Sequence, residues 1–173
     1  MSAEAVGGAG APAVGSPREG DVVTTPEGLT YPLAPTRLVL PDELRAQIVA
    51  AAREGFPNEA CGLIAGRRVD GADEVVRVYA LRNEDASPEH FTIGPAEQLA
   101  ALRDMRARGL VPLGNWHSHP ATPSRPSAED IRLARDPAAH YLICSLAQSE
   151  PVLRAFRVRA GVVSLERTTG KED

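Results

Sequence analysis

Residues 114–134 read GNWHSHPATPSRPSAEDIRLA. The placement of His117, His119, Ser127 and Asp130 in this stretch decides what the chain builds. The pattern is His-x-His, seven residues, Ser, two residues, Asp. Leu110 to Trp116 is a mostly apolar run that reads as a strand ending in a loop. Alternate side chains of a strand share a face, so His117 and His119 can converge on one ion. Pro120, Pro123 and Pro126 stiffen the loop that follows. A helix begins at Ser127, and Asp130 falls in its first turn, able to project back toward the histidines. Three side chains suited to zinc result, and three protein ligands leave the fourth tetrahedral position open, as a catalytic zinc requires. A plainer reading stands beside this one. Ser127-Ala128-Glu129-Asp130 is also a helix start, with an N-cap and an acidic first turn. A cap and a catalytic role for Ser127 are compatible.

A hydrolytic zinc site also needs a base. The candidate is Glu59, in FPNEACGLIAGRR (residues 56–68), at the end of a short loop before an apolar strand. On local chemistry alone it is one of 23 acidic residues, and a surface carboxylate is the simpler reading.

Taken together, PNEACGLIAG and WHSHPATPSRPSAED resemble the JAMM/MPN+ zinc metalloprotease family. That family carries an upstream Glu, then His-Ser/Thr-His-Pro, then Ser and Asp at the spacing found here. The resemblance runs from about Thr36 to Val158. It implies an α/β fold, a mixed curved β-sheet flanked by helices in an α-β-α arrangement related to that of cytidine deaminases. It implies that His117, His119 and Asp130 hold one Zn²⁺ per chain and that Glu59 is the general acid/base. It implies that Ser127 hydrogen-bonds the oxyanion or the catalytic water. Other zinc patterns do not fit. There is no His-Glu-x-x-His helix and no deaminase Pro-Cys-x-x-Cys. The chain is short for an amidohydrolase barrel.

Family members that remove ubiquitin carry insertions around the core. This compact chain resembles instead the short prokaryotic branch, which processes ubiquitin-like sulfur-carrier proteins ending in Gly-Gly. The expected partner is therefore such a carrier, trimmed or relieved of cysteine or another amino acid after its tail. GLIAGRR and the loop at 83–90 are candidates for a channel along which that tail adds as a strand, with Arg67 and Arg68 as docking residues. Two alternatives stay open. One is a peptidase for another small peptide or a cell-wall fragment, and the other is a scaffold domain without catalysis.

Composition narrows the rest. The 173 residues suit one domain. A net charge of −4 without a basic patch argues against nucleic acid as a main partner. No stretch is long and apolar enough to span a membrane, and no secretory signal is evident, so the expected location is cytoplasmic. Cys61 and Cys144 lie in apolar strands and read as buried free thiols. Nothing demands an oligomer, although a homodimer is common for small domains.

Residues 1–35 are dominated by Ala, Gly, Pro and Ser and read as a disordered tail, whose last part, from Val22, can lay a strand or turn on the domain. The metalloprotease domain is expected over 36–166, with 167–173 frayed. Leu44, Ile48 and Ala52 mark the inward face of a first helix, and Leu99, Leu102 and Met105 that of a second. Cys61–Arg67 and Glu74–Arg82 read as a hairpin, and His90–Ile93 as a short strand. Pro112 and Gly114 weaken the reading of Val111–Trp116 as a central strand. Trp116 points away from the histidines into packing. His90 and His140 read as structural or exposed residues, His140 at a strand start.

Overall fold

The computed structural model describes residues 18, 20–69 and 71–170. Its organising element is the strand that carries the histidines, Val111–His119. In chain order the elements are β1 (Val22–Thr24), β2 (Thr30–Val39), α1 (Asp42–Gly55), β3 (Cys61–Val69), β4 (Ala72–Leu81), α2 (Pro95–Ala107), β5 (Val111–His119), α3 (Ala128–Leu133), β6 (His140–Ser145), β7 (Val152–Arg159) and β8 (Val162–Thr169). The strand order is β1-β2-β4-β3-β5-β6-β7-β8, and β2 also pairs with β8. The mixed sheet therefore curls until its two sides meet.

β5 lies in the middle of that sheet, antiparallel to β3 and parallel to β6. A parallel neighbour requires a crossover, and the proline loop with α3 supplies it. Pro112 and Gly114 do not displace β5 from the centre. The pairing with β3 shifts register between them, Ile64 facing Gly114 and Ala65 facing Pro112, so that Leu113 is an extra residue in β5, and such a bulge accommodates a residue that the regular ladder would reject. Gly114 is needed for close approach, because a Cβ there would lie 1.9 Å from the carbonyl oxygen of His140.

Helix α1 covers one face of the sheet. Leu44, Ile48 and Ala52 pack with Leu38, Ile64, Trp116 and Leu142. Trp116 is fully buried there and donates its Nε1–H to the Tyr79 carbonyl. Helix α2 packs on other residues of the sheet, but not through the side chains expected. Ala101 and Met105 meet Leu63, Ala65 and Leu110, whereas Leu99 and Leu102 are 48% and 36% exposed. Steps of three drift by about 60° each around a helix of 3.6 residues per turn. Met105 therefore shares its face with Ala101, four residues back, and not with Leu99.

Two boundaries move. β2 starts at Thr30, before the expected domain start at 36, because Leu33 and Ala34 are core residues. β1 and β2 form the strand pair that the aliphatic residues after Val22 allow. β8 continues past 166 to Thr169, because Arg167–Thr169 pair with β2. Residues 1–17 of the expected tail and 171–173 of the expected frayed end lie outside the described residues. The strand expected at His90–Ile93 reduces to one bridge, Asn83 with Ile93.

β3 cannot accept an added strand over most of its length, since β4 and β5 pair with both of its edges. Arg67 and Arg68 lie at the opposite end of β3 from Glu59, roughly 20 Å away along the strand, and Arg68 is paired with Asp73. Strand addition along residues 61–66 is therefore ruled out, and the groove that runs between the loop at 83–90 and the start of β3, lined by Glu59, Ala60, Cys61, Asn83 and Ala86, lies away from Arg67 and Arg68.

Candidate metal and catalytic site

The end of β5 delivers His117 and His119 to one face, with their Nε2 atoms 3.0 Å apart. Both are buried. The other nitrogen of His119 fixes its tautomer. Nδ1–H donates to the Pro123 carbonyl at 3.1 Å, which leaves the Nε2 lone pair directed at the site. The carbonyl comes from the proline loop, which is itself pinned to β6. Ser124 Oγ donates to the Ile143 carbonyl and Ser145 Oγ to that of Thr122. His117 is held by packing instead, with the Phe91 ring stacked on it at 4.7 Å.

Asp130 approaches from α3. Its Oδ1 lies 3.4 Å from His117 Nε2 and its Oδ2 3.5 Å from His119 Nε2. A reciprocal capping box aims the carboxylate. Ser127 N–H donates to Asp130 Oδ2 at 2.7 Å, and Asp130 N–H donates to Ser127 Oγ at 3.0 Å. The helix-start reading of the SAED stretch thus holds, and the same cap places the Asp130 carboxylate beside the two histidines. The cap uses only acceptor capacity of Ser127 Oγ, so its O–H proton can still be donated.

Glu59 closes the cluster from the turn after α1. Its Oε1 is 3.9 Å from His119 Nε2, and the residue is only 6% exposed. Backbone contacts hold it on both sides. Glu59 N–H donates to the Ser87 carbonyl at 2.8 Å, and Asn83 Nδ2 donates to the Glu59 carbonyl at 3.0 Å. Ala60 N–H donates to Ser118 Oγ, and Ser118 N–H donates to the Ala60 carbonyl, each at 2.8 Å. Ser118, between the two histidines, therefore ties the Glu59 turn to β5. Sequence reasoning missed this role and those of Phe91 and Asn83, because each depends on a contact between segments distant along the chain.

The electrostatics separate the two carboxylates. Burial pushes the Glu59 carboxyl up to about 7, against the pull of the His119 charge. Burial also works against ionisation of Asp130, but hydrogen bonds from His117 and His119 outweigh it and hold this group well below the usual range. Burial lowers His117. Burial opposes the charge on His119 too, but Asp130 and the Pro123 carbonyl overcome it and raise that group.

The donor spacing fits a metal. Glu59, His117 and His119 each place a ligand atom within 4.8 Å of the others. The distances of 3.0, 3.4 and 3.5 Å among the histidines and Asp130 bracket the edge of a tetrahedron with bonds of roughly 2.0–2.1 Å, which is about 3.4 Å. The two other histidines lie outside this group. His90 is exposed and pairs with Glu129, and His140 is buried between Glu166 and Asp73.

Cys61 and Cys144 are buried free thiols, pushed up by burial to about 12 and about 11. At neutral pH they are inert packing groups.

The model of the prokaryotic homologues of the JAB domain matches residues 41–159. The CysO-cysteine peptidase of Mycobacterium tuberculosis is 37% identical over 130 residues, covering 75% of this chain and 88% of that protein. The desampylase of Haloferax volcanii is 35% identical over 115 residues, 64% of this chain and 81% of that protein. Among solved structures, that of a Desulfitobacterium hafniense protein superposes with a TM-score of 0.73 at 51% identity, covering 79% of this chain and 94% of the other.

Proposed function

This chain belongs to the prokaryotic JAB-domain family, and from that premise we propose that it is a zinc-dependent peptidase of the cytoplasm. Its substrate is a small ubiquitin-like sulfur-carrier protein, and it hydrolyses the bond that follows the carrier's C-terminal Gly-Gly. The observation that carries this reading is the convergence of His117, His119 and Asp130, with the buried Glu59 carboxylate 3.9 Å from His119.

Asp130 is the carboxylate ligand and Glu59 the base, for two reasons. Asp130 lies within 3.5 Å of both imidazoles and is held ionised. Glu59 lies farther out, and in the metal-free site burial pushes it up to about 7, the direction needed by a group that must both accept and return a proton. Two nitrogens and one carboxylate with an open position suit zinc better than magnesium. When bound, the ion supplies Lewis acidity to the water and to the scissile carbonyl. Glu59 takes the proton of the attacking water and hands it to the departing amine. Ser127 donates its O–H to the developing oxyanion. Ser118 and Asn83 hold Glu59 in reach, and Phe91 fixes the His117 ring.

The substrate class draws support from the relatives, named as a peptidase acting on CysO-cysteine and as a desampylase. No helix among the described residues is long and apolar enough to cross a membrane. The test is to incubate zinc-loaded protein with a Gly-Gly carrier bearing a C-terminal extension and to read intact mass. Wild type is expected to remove the extension after Gly-Gly, and Glu59→Gln to leave it. An intact carrier after incubation with the zinc-loaded wild type would reject the reading.

A further inference from the structure

A cavity opens beside His117 and Asp130 that the chemistry above does not use. Leu133 and Ala134 at the end of α3 form one wall, and Tyr141, Ile143 and Val158 of β6 and β7 close it beneath. Ile143 and Val158 are core residues, 0% and 3% exposed. The volume is about 60 Å³, room for about four water-sized groups at roughly 15 Å³ each. Its lining is apolar apart from the metal-site residues, the Tyr141 hydroxyl and Asn115. Tyr141 O–H donates to the Asp136 carbonyl. Asn115 lines the cavity two residues before His117, on the same strand. No other described residue hydrogen-bonds its side-chain amide.

We propose that this cavity receives the side chain of the residue released from the carrier. It selects uncharged side chains of up to about four heavy atoms, joined to Gly-Gly through their α-amine. The inference rests on the carrier-peptidase reading and specifies its leaving group.

Position assigns the cavity to the leaving side. Two of its lining residues, His117 and Asp130, belong to the reacting centre. On the acyl side the two nearest residues are glycines, without side chains to fill it. The next residue upstream lies on the order of 10 Å away along an extended chain. The lining then fixes the class. Away from the metal ligands it holds no Lys or Arg to pair with an acidic side chain, and its one carboxylate, Asp130, is engaged by the histidines. A charged side chain would be desolvated without a partner. The spare Asn115 amide accommodates one uncharged polar atom. The closed floor fixes the linkage. A lysine joined through its ε-amine must continue from its stem into a target protein, and β6 and β7 block that path. A residue joined through its α-amine sends only its side chain inward.

The test uses zinc-loaded enzyme and a carrier ending in Gly-Gly-X, with X as Gly, Leu, Asp or Lys, plus a carrier joined to the ε-amine of lysine. The expected kcat/KM for Leu exceeds those for Asp, α-linked Lys and ε-linked lysine by at least tenfold. Ala134→Phe narrows the cavity and is expected to lower the Leu-to-Gly ratio at least tenfold. Leu133→Trp, at an exposed position, repeats the test should the first variant fold poorly. Equal rates for Leu and Asp, efficient cleavage of the ε-linked carrier, or an unchanged Leu-to-Gly ratio in both variants would overturn the proposal alone. Failure to cleave any carrier would overturn the carrier reading and this inference with it.

Discussion

At one end of the sheet His140 is enclosed by two carboxylates, and at the other His117 and His119 face two more. The difference lies in how hydrogen-bonding capacity is spent. His140 Nδ1 meets Glu166 Oε2, and its Nε2 meets Asp73 Oδ2. Glu166 also accepts from Arg157 Nε and Thr36 Oγ1, and Asp73 accepts from Arg68. Every group there is matched by another side chain, and the cluster ties β2, β4, β6, β7 and β8 together where the curled sheet closes. At the other end the two Nε2 atoms face each other and Asp130 sits at 3.4–3.5 Å from them, spacings that suit ligands of a common ion. A closed network specifies structure, whereas converging lone pairs specify a ligand.

The sharpest way to break this comparison is to truncate both ends. His119→Ala or Asp130→Ala is expected to abolish zinc binding and lower turnover by at least 10³-fold, while the apo-protein still folds. His140→Ala is expected to cost about 3–5 kcal/mol of stability, because two buried carboxylates lose a partner, yet to keep one zinc per chain. Metal analysis paired with denaturant unfolding checks both. A His140→Ala protein that folds normally but loses zinc would reverse the assignment.

Glu59 is next in size. Glu59→Gln is expected to lower kcat by about 10³-fold with zinc content unchanged. Its effect on stability has the opposite sign. The folded-state value of about 7 lies above the ordinary 4.5 of a glutamate, so the contribution of this group is complete below pH 4.5 and is lost as pH rises through 7. In metal-free protein at pH 8, Glu59→Gln should therefore be the more stable form by up to about 3 kcal/mol, with the gap closing toward pH 5. Urea unfolding across that window measures it. In the loaded enzyme kcat/KM should rise as Glu59 ionises, with the limb below pH 7 because the ion favours the carboxylate. A pH–rate profile that keeps the same limb in the residual activity of Glu59→Gln would contradict the role.

Positioning effects are smaller. Ser118→Ala removes the acceptor for Ala60 N–H and is expected to lower kcat about tenfold with KM little changed and stability reduced by about 1 kcal/mol. The smallest effect is expected at the thiols. Native protein at pH 8 should not react with a thiol reagent, and Cys144→Ala should leave turnover within twofold.

How far the sequence revealed this depends on the range of the interactions. His117, His119, Ser127 and Asp130 lie within one strand, one loop and one helix start, so their spacing fixes their geometry. Glu59 was legible only through family resemblance, because its approach to His119 depends on Ser118, Asn83 and Ser87. The buried network around His140 was not legible beyond a structural histidine. Asp73, Arg157 and Glu166 carry no local pattern and meet only because β2 and β8 close the sheet. The exposure of Leu99 and Leu102 was misjudged because hydrophobic spacing does not tell which face a short-stepped helix presents when Ala101 permits close approach. The expected strand addition along β3 fails for a related reason, since a strand read alone does not reveal that both edges are taken.

The most direct test of the central claim is a zinc titration of metal-stripped protein, with bound metal and carrier cleavage followed together. The account predicts that wild-type activity rises in proportion to zinc and levels at one equivalent per chain. Glu59→Gln should bind the same equivalent without turnover, and Asp130→Ala should bind none. Full cleavage by the stripped wild type, or undiminished zinc binding by Asp130→Ala, would contradict it.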